Sequence, residues 1–280
     1  MGWGLNTEGK NQKFLLSARF LFCFLLGLLG SKAVYAENWK ELKGDHFIVY
    51  HQQSDEQFAN QVLRKAEIYY KQISSDLGYQ RYSNFWQWDN RVKIYIYPTK
   101  DEFLKATGQN VWSHGVASYK AKEIKSYEWG EGFLEALLPH EITHLIFRDY
   151  VGFEGEIPIW LDEGVAQWEE PAKRAIVRSV MKSALESGRA LSLRELTQTD
   201  VRKVTDADRA LHFYIQAASL IDFLVRKFGA DNFIAFCRQL RDGKTLDEAL
   251  SFTYQTTMRD LTQMEEKWKN FILEMPDQID

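Results

Sequence analysis

Among the 280 residues, those whose types and spacing could do chemistry are His140-Glu141-Ile142-Thr143-His144 and, further on, Glu163 within Trp160-Leu161-Asp162-Glu163-Gly164. On an α-helix the side chains at i and i+4 stand one above the other, so His140 and His144 can present imidazole nitrogens to one metal ion. Glu141 would be turned about 100° from His140, too far round to be a natural ligand but near enough to reach a water on the metal, and it reads as a general base. Catalytic zinc sites favour three protein ligands and keep the fourth position for water, and Glu163 can supply the third. Eighteen residues separate it from His144, enough to end one helix, turn through Gly152, Gly155 and Pro158, and resume a helical pattern from Ile159 to Glu170. The implied cofactor is one Zn²⁺ ion. The competing reading is an amphipathic helix with two surface or hydrogen-bonded histidines. Against it, Leu134, Leu138, Ile142, Leu145 and Ile146 form an apolar stripe from which the histidines turn away, while Phe133 and Leu137 border their face and enclose it.

Taken with Gly164-Val165-Ala166, these residues resemble the gluzincin clan of zinc metallopeptidases at the spacing of its aminopeptidase branch. More narrowly, the chain is similar to the peptidase MA-like domain family of bacterial secreted proteins. The likeness runs from about Asp45 to Leu273 and takes in Val92-Lys93-Ile94-Tyr95-Ile96-Tyr97-Pro98, Gly115-Val116-Ala117, Tyr214-Ile215-Gln216-Ala217-Ala218-Ser219-Leu220 and Asp242-Gly243-Lys244-Thr245-Leu246-Asp247-Glu248-Ala249. It implies a zincin-like fold and hydrolysis of peptide bonds by a metal-activated water.

Further roles follow from the resemblance. Tyr214 stands where aminopeptidase-like gluzincins place the tyrosine that stabilises the oxyanion, with His212 as second choice and helix capping as its plain alternative. Glu170, seven residues after Glu163, is expected on the same helix face as a carboxylate partner for a metal-bound histidine, the alternative being a solvated surface acid. Gly115, Val116 and Ala117 would form an edge strand that pairs with an extended substrate. The Gly-Ala-Met-Glu-Asn signature with which aminopeptidases grip a free N-terminus is missing, which favours an endopeptidase. A rival from another class is a catalytically idle gluzincin-like domain that holds zinc as a protein-binding module. A third is hydrolysis of a non-peptide amide.

The elements that must position these residues are legible in the hydropathy pattern. Phe47 to Tyr50 and Val92 to Tyr97 read as strands, Gly115 to Tyr119 and Glu123 to Tyr127 as two more, and the stretch from Phe58 to Leu77 as an amphipathic helix capped by Ser54. A short helix is expected near Asp101 to Thr107. From Pro171 onward the periodic segments are helical: Ala172 to Ser187, Asp206 to Phe228, Asp231 to Arg241 and Thr257 to Leu273. The expected fold is therefore α+β, a small mixed sheet with packed helices followed by an all-helical lobe, with the metal helix at the seam. Pro139, directly before the motif, predicts a kink there or a helix beginning at that point, of which the kink is favoured.

Residues 1–36 read as a targeting segment, with Lys10, Lys13 and Arg19 before an apolar core from Phe20 to Leu29 and a small-residue site at Val34-Tyr35-Ala36. Export to the bacterial periplasm or beyond is the expectation, an uncleaved membrane anchor the alternative. The expected division is then residues 1–36, an α/β lobe over 37–155 and a helical lobe over 156–275. Of the two cysteines, Cys237 alone would remain after cleavage, so a packed core rather than a disulfide must stabilise the domain. A net charge of −4 without a basic run argues against nucleic acid and leaves a peptide or protein as the substrate class. The aromatic run Tyr79, Tyr82, Phe85, Trp86 and Trp88 is either a partner surface or, more commonly, a cover for the sheet.

Overall fold

The computed structural model describes residues 39–52, 56–79, 86–111, 113–154 and 156–274. The targeting segment, Ser54, Tyr82, Phe85 and Gly155 lie outside these residues.

Five strands form one sheet: β1 (Lys40–Lys43), β2 (Phe47–His51), β3 (Val92–Tyr97), β4 (Gly115–Ser118) and β5 (Glu123–Tyr127), in the order β1-β2-β3-β5-β4. The inner pairs β2/β3 and β3/β5 are parallel, and the outer pairs β1/β2 and β4/β5 antiparallel. Alternation decides which way each strand faces. Phe47, Val49, Val92, Ile94, Ile96 and Ile124 point into the main core, whereas Tyr97 and Tyr127 join Phe103 in a smaller cluster. Strand β1 escapes sequence reading because Lys-Glu-Leu-Lys lacks the apolar pattern of a strand. Those charges suit an edge, where they discourage pairing with other chains.

Helix α1 (Glu56–Asp76) packs on β2, and α2 (Lys100–Thr107), capped by the Thr99 side chain, lies against β5. The metal-motif helix α3 (Leu138–Val151) packs on α1 and β4 and also on α4 (Ile159–Trp168). The remainder is helical: α5 (Pro171–Glu186), α6 (Leu193–Gln198), α7 (Ala207–Phe228), α8 (Ala230–Arg241), α9 (Leu246–Thr253) and α10 (Leu261–Leu273). The fold is thus α+β, a five-stranded sheet with a mostly helical remainder. Helices α6 and α9, both opened by capping boxes (Ser192 with Glu195, Thr245 with Glu248), are too short to show an apolar period of their own. One continuous core runs from Phe47 to Ile272 and contains Cys237, a fully buried thiol whose pKa burial pushes well up.

The aromatic run divides. Trp86 is buried against Phe47 and Tyr70, and Tyr79 donates to Asp149 (2.6 Å), while Trp88 is 81% exposed. Among the described residues no helix is long and apolar enough to cross a membrane.

Candidate metal centre

The approach to the motif refines the expectation for Pro139: α3 opens at Leu138 with Pro139 in its first turn, nearer to the alternative of a helix beginning there than to the favoured kink. A π-helical turn, Phe133–Leu137, runs directly into α3, with the Leu138 N–H donating to the Phe133 carbonyl. Proline has no N–H to offer the carbonyl four residues back, and a wider turn just before it accommodates that loss. Glu135 anchors the π turn to α1, accepting from Tyr69 Oη (2.9 Å) and pairing with Lys65 Nζ (2.5 Å). Thr143 donates to the Pro139 carbonyl (2.7 Å).

Helix α4 brings the third residue. Gly164 lets α4 lie directly on α7, since a Cβ there would sit 2.9 Å from the Ala217 carbonyl oxygen. With that approach, His140 Nε2 lies 3.1 Å from His144 Nε2 and 3.6 Å from Glu163 Oε2, and one ligand atom from each of the three residues lies within 4.8 Å of the others. All three side chains are buried, and Glu163 Oε2 has no hydrogen-bond partner. A buried, unsatisfied carboxylate oxygen is costly, and a cation between it and two imidazoles removes that cost. The donor set, two nitrogens and one carboxylate, suits zinc.

The far side of each ring is held by an acid. His140 Nδ1 lies 2.9 Å from Glu170 Oε1, and His144 Nδ1 lies 2.9 Å from Asp162 Oδ1. A carboxylate can only accept, so each Nδ1 carries the proton and each Nε2 is left to face the other ring and Glu163. Glu170 arrives by a different route from the one its spacing suggested. Helix α4 ends at Trp168, so Glu170 is not two turns along the same face but the N-cap residue of α5, in extended conformation. Asp162, immediately before Glu163, has no role that spacing reveals; its contact with His144 depends on how α4 packs against α3.

Burial dominates the electrostatics. It pushes the Glu141 carboxyl up to about 7, against the opposing pull of His144 and of the Ala117 backbone N–H that donates to it. Burial likewise raises Glu163 to about 8. For His144, burial works downward, but the charge and hydrogen bond of Asp162, with Glu163 and Glu141 behind them, carry the ring up to about 9. Burial lowers His140 despite Glu170. Glu170 itself stays below the usual carboxylate range even though burial opposes this, because Lys173 and His140 both favour its charge.

The remaining candidates lie on β4 and on α7. Gly115, Val116 and Ala117 form most of β4, whose outer side carries no further strand among the described residues. Gly115 abuts Leu137 of the π turn, and Ala117 meets Glu141. Tyr214 is buried on α7, one turn before the Ala217 carbonyl that touches Gly164. His212 places Nδ1 2.7 Å from the Asp208 carbonyl, one turn back on its own helix, and does not cap it, since the N-cap of α7 is Asp206, whose side chain accepts from the Arg209 N–H. His114 is fixed beside β4 by Tyr127 Oη (2.6 Å) and meets the Trp129 ring at a tilt. Sequence reasoning also missed Lys173, whose Nζ donates to Glu170 Oε1 (2.8 Å).

A match to the Peptidase MA superfamily extends over residues 85–274, more than half of the chain and all of the centre described above. No curated protein matches the chain.

Proposed function

The chain belongs to the Peptidase MA superfamily, and from that premise we propose that it is an exported zinc metallopeptidase of gluzincin type and zincin-like fold, cleaving within peptides rather than at their ends. The observation that carries the reading is the convergence of His140 Nε2, His144 Nε2 and an otherwise unsatisfied Glu163 oxygen in a buried space beside Glu141.

His140, His144 and Glu163 would hold the ion. Zinc in such a site supplies Lewis acidity, which makes a water acidic near neutral pH. Glu141 takes the proton of the attacking water and passes it to the leaving amine nitrogen. Glu170 and Asp162 keep the two rings in the tautomer that leaves Nε2 bare. Tyr214 donates to the oxyanion that develops on the attacked carbonyl. The open side of β4 offers backbone groups to an extended peptide next to Glu141, and this pairing would set the substrate across the centre. Export, whether to the periplasm or outside the cell, rests on residues 1–36 alone, and the division into lobes at 155/156 follows from placing α3 at their seam.

Digestion of a mixed peptide library by the zinc-loaded protein, read by mass spectrometry, tests the proposal. Internal cleavage is expected from the wild type. Glu141→Gln should keep one zinc per chain and lose cleavage by at least about a hundredfold. A wild type that binds zinc through His140 and His144 yet cuts nothing would sink the peptidase reading and favour the idle, partner-binding domain.

A further inference from the structure

We propose that Lys173 is a positioning residue of the metal centre: its ammonium holds the Glu170 carboxylate in the orientation that fixes the His140 ring, and zinc affinity depends on it. The inference rests on the reading of His140, His144 and Glu163 as zinc ligands.

The geometry is specific to one oxygen. Glu170 Oε1 accepts from Lys173 Nζ at 2.8 Å and lies 2.9 Å from His140 Nδ1, so both of its lone-pair directions are taken. Turning the Glu170 side chain away from His140 would break both bonds at once. Lys173 sits one turn into α5 and Glu170 caps that helix, so the pair spans a single turn of one rigid element.

Glu170 needs this restraint and Asp162 does not. Asp162 is short, lies inside α4 and directly precedes the ligand Glu163, so its backbone already places it against His144. Glu170 stands at the corner between α4 and α5, has one more rotatable bond, and does not hydrogen-bond its own helix end. Pro171 follows it and contributes no N–H that could compete for the carboxylate. Glu169, one residue earlier and fully buried, shows what the corner does to an acid without a close donor. Neither of its oxygens is hydrogen-bonded, and Arg174 Nη1 approaches only to 3.6 Å.

The test compares zinc dissociation constants of the full chain, measured by competition with a chromophoric chelator, for wild type, Lys173→Met, Lys173→Gln and Lys173→Arg. Removing a group that orients a metal-bound histidine typically weakens binding about 10–100-fold. The lower end is expected for both Met and Gln, with Arg restoring binding to within about threefold; loss of the ammonium leaves a buried carboxylate short of a partner and lowers metal-free stability as well, so binding is measured well below the metal-free melting temperature of every variant. The paired donor supports the proposal only if Met and Gln both weaken zinc binding and Arg rescues it. Wild-type affinity in the Met and Gln variants, or an Arg variant as weak as they are, overturns it while leaving the zinc site intact. If wild-type zinc binding survives substitution of both His140 and His144 by alanine, the ligand assignment fails, and this inference with it.

Discussion

Two imidazoles whose Nδ1 atoms are both committed to carboxylates must turn their other nitrogens on one another, and at 3.1 Å those Nε2 atoms repel unless a proton or a cation lies between them. Spacing alone was enough to anticipate that His140 and His144 share one helix face; the carboxylates behind them it does not show. Glu163 was legible in the same way. The role of Glu170 was legible from the family resemblance, though not its place in the fold; those of Asp162 and Lys173 were not, because each depends on which side chains a neighbouring helix brings near, and spacing within one segment is silent on that. At this scale the test of Tyr214 is direct. If Tyr214 donates to the oxyanion as proposed, Tyr214→Phe should lower kcat about 10²–10³-fold with KM and zinc content close to wild type. Steady-state kinetics with a metal assay decide it, and a KM rise at unchanged kcat would move Tyr214 from the reaction to substrate binding.

Among the elements, the decisive contact is that of α4 with α7, because it carries Glu163 to the histidines. Gly164 permits it, and no side chain larger than hydrogen fits there without displacing the Ala217 carbonyl at 2.9 Å or Ile221 at 3.1 Å. Gly164→Ala is therefore expected to destabilise the fold by about 1–3 kcal/mol, as overpacking of a tight interface does, and to weaken zinc binding by shifting Glu163. Urea unfolding together with chelator competition would show it, and an unchanged midpoint would mean that the two helices part at no cost. Most elements were legible from periodicity: β3, β5 and α7 fall within a residue of their expected bounds. The π turn was not, since Pro139 announces only that ordinary helical bonding fails there, and the tether from Glu135 to α1 lies 66 residues away in the chain.

For the whole molecule, the metal centre joins α3 to α4 and so should act as a staple, one whose strength depends on pH. The sign follows from the two ligands whose pKa values are raised, Glu163 and His144. Glu163 prefers its neutral form when folded, so in the metal-free protein its contribution declines as pH rises from about 4.5 through about 8. His144 prefers its charged form, and that stabilisation, complete below its ordinary value of 6.5, is lost as pH rises through about 9. Zinc must displace both protons, so its affinity rises with pH over this window while the metal-free fold weakens. The gain in melting temperature from a fixed excess of zinc should accordingly be larger at pH 8 than at pH 6, and chelation should reverse it. A gain that is equal or smaller at pH 8 would contradict the proton assignments. By itself the sequence determined the chemistry on offer, because ligand types, helical spacing and apolar periodicity are local properties of the chain. Only the tertiary structure decided that Asp162 orients the second ring, that Glu170 acts from the cap of another helix, and that Lys173 stands behind it. Those are contacts between segments, set by how closely helices can approach and by the need of every buried polar atom for a partner.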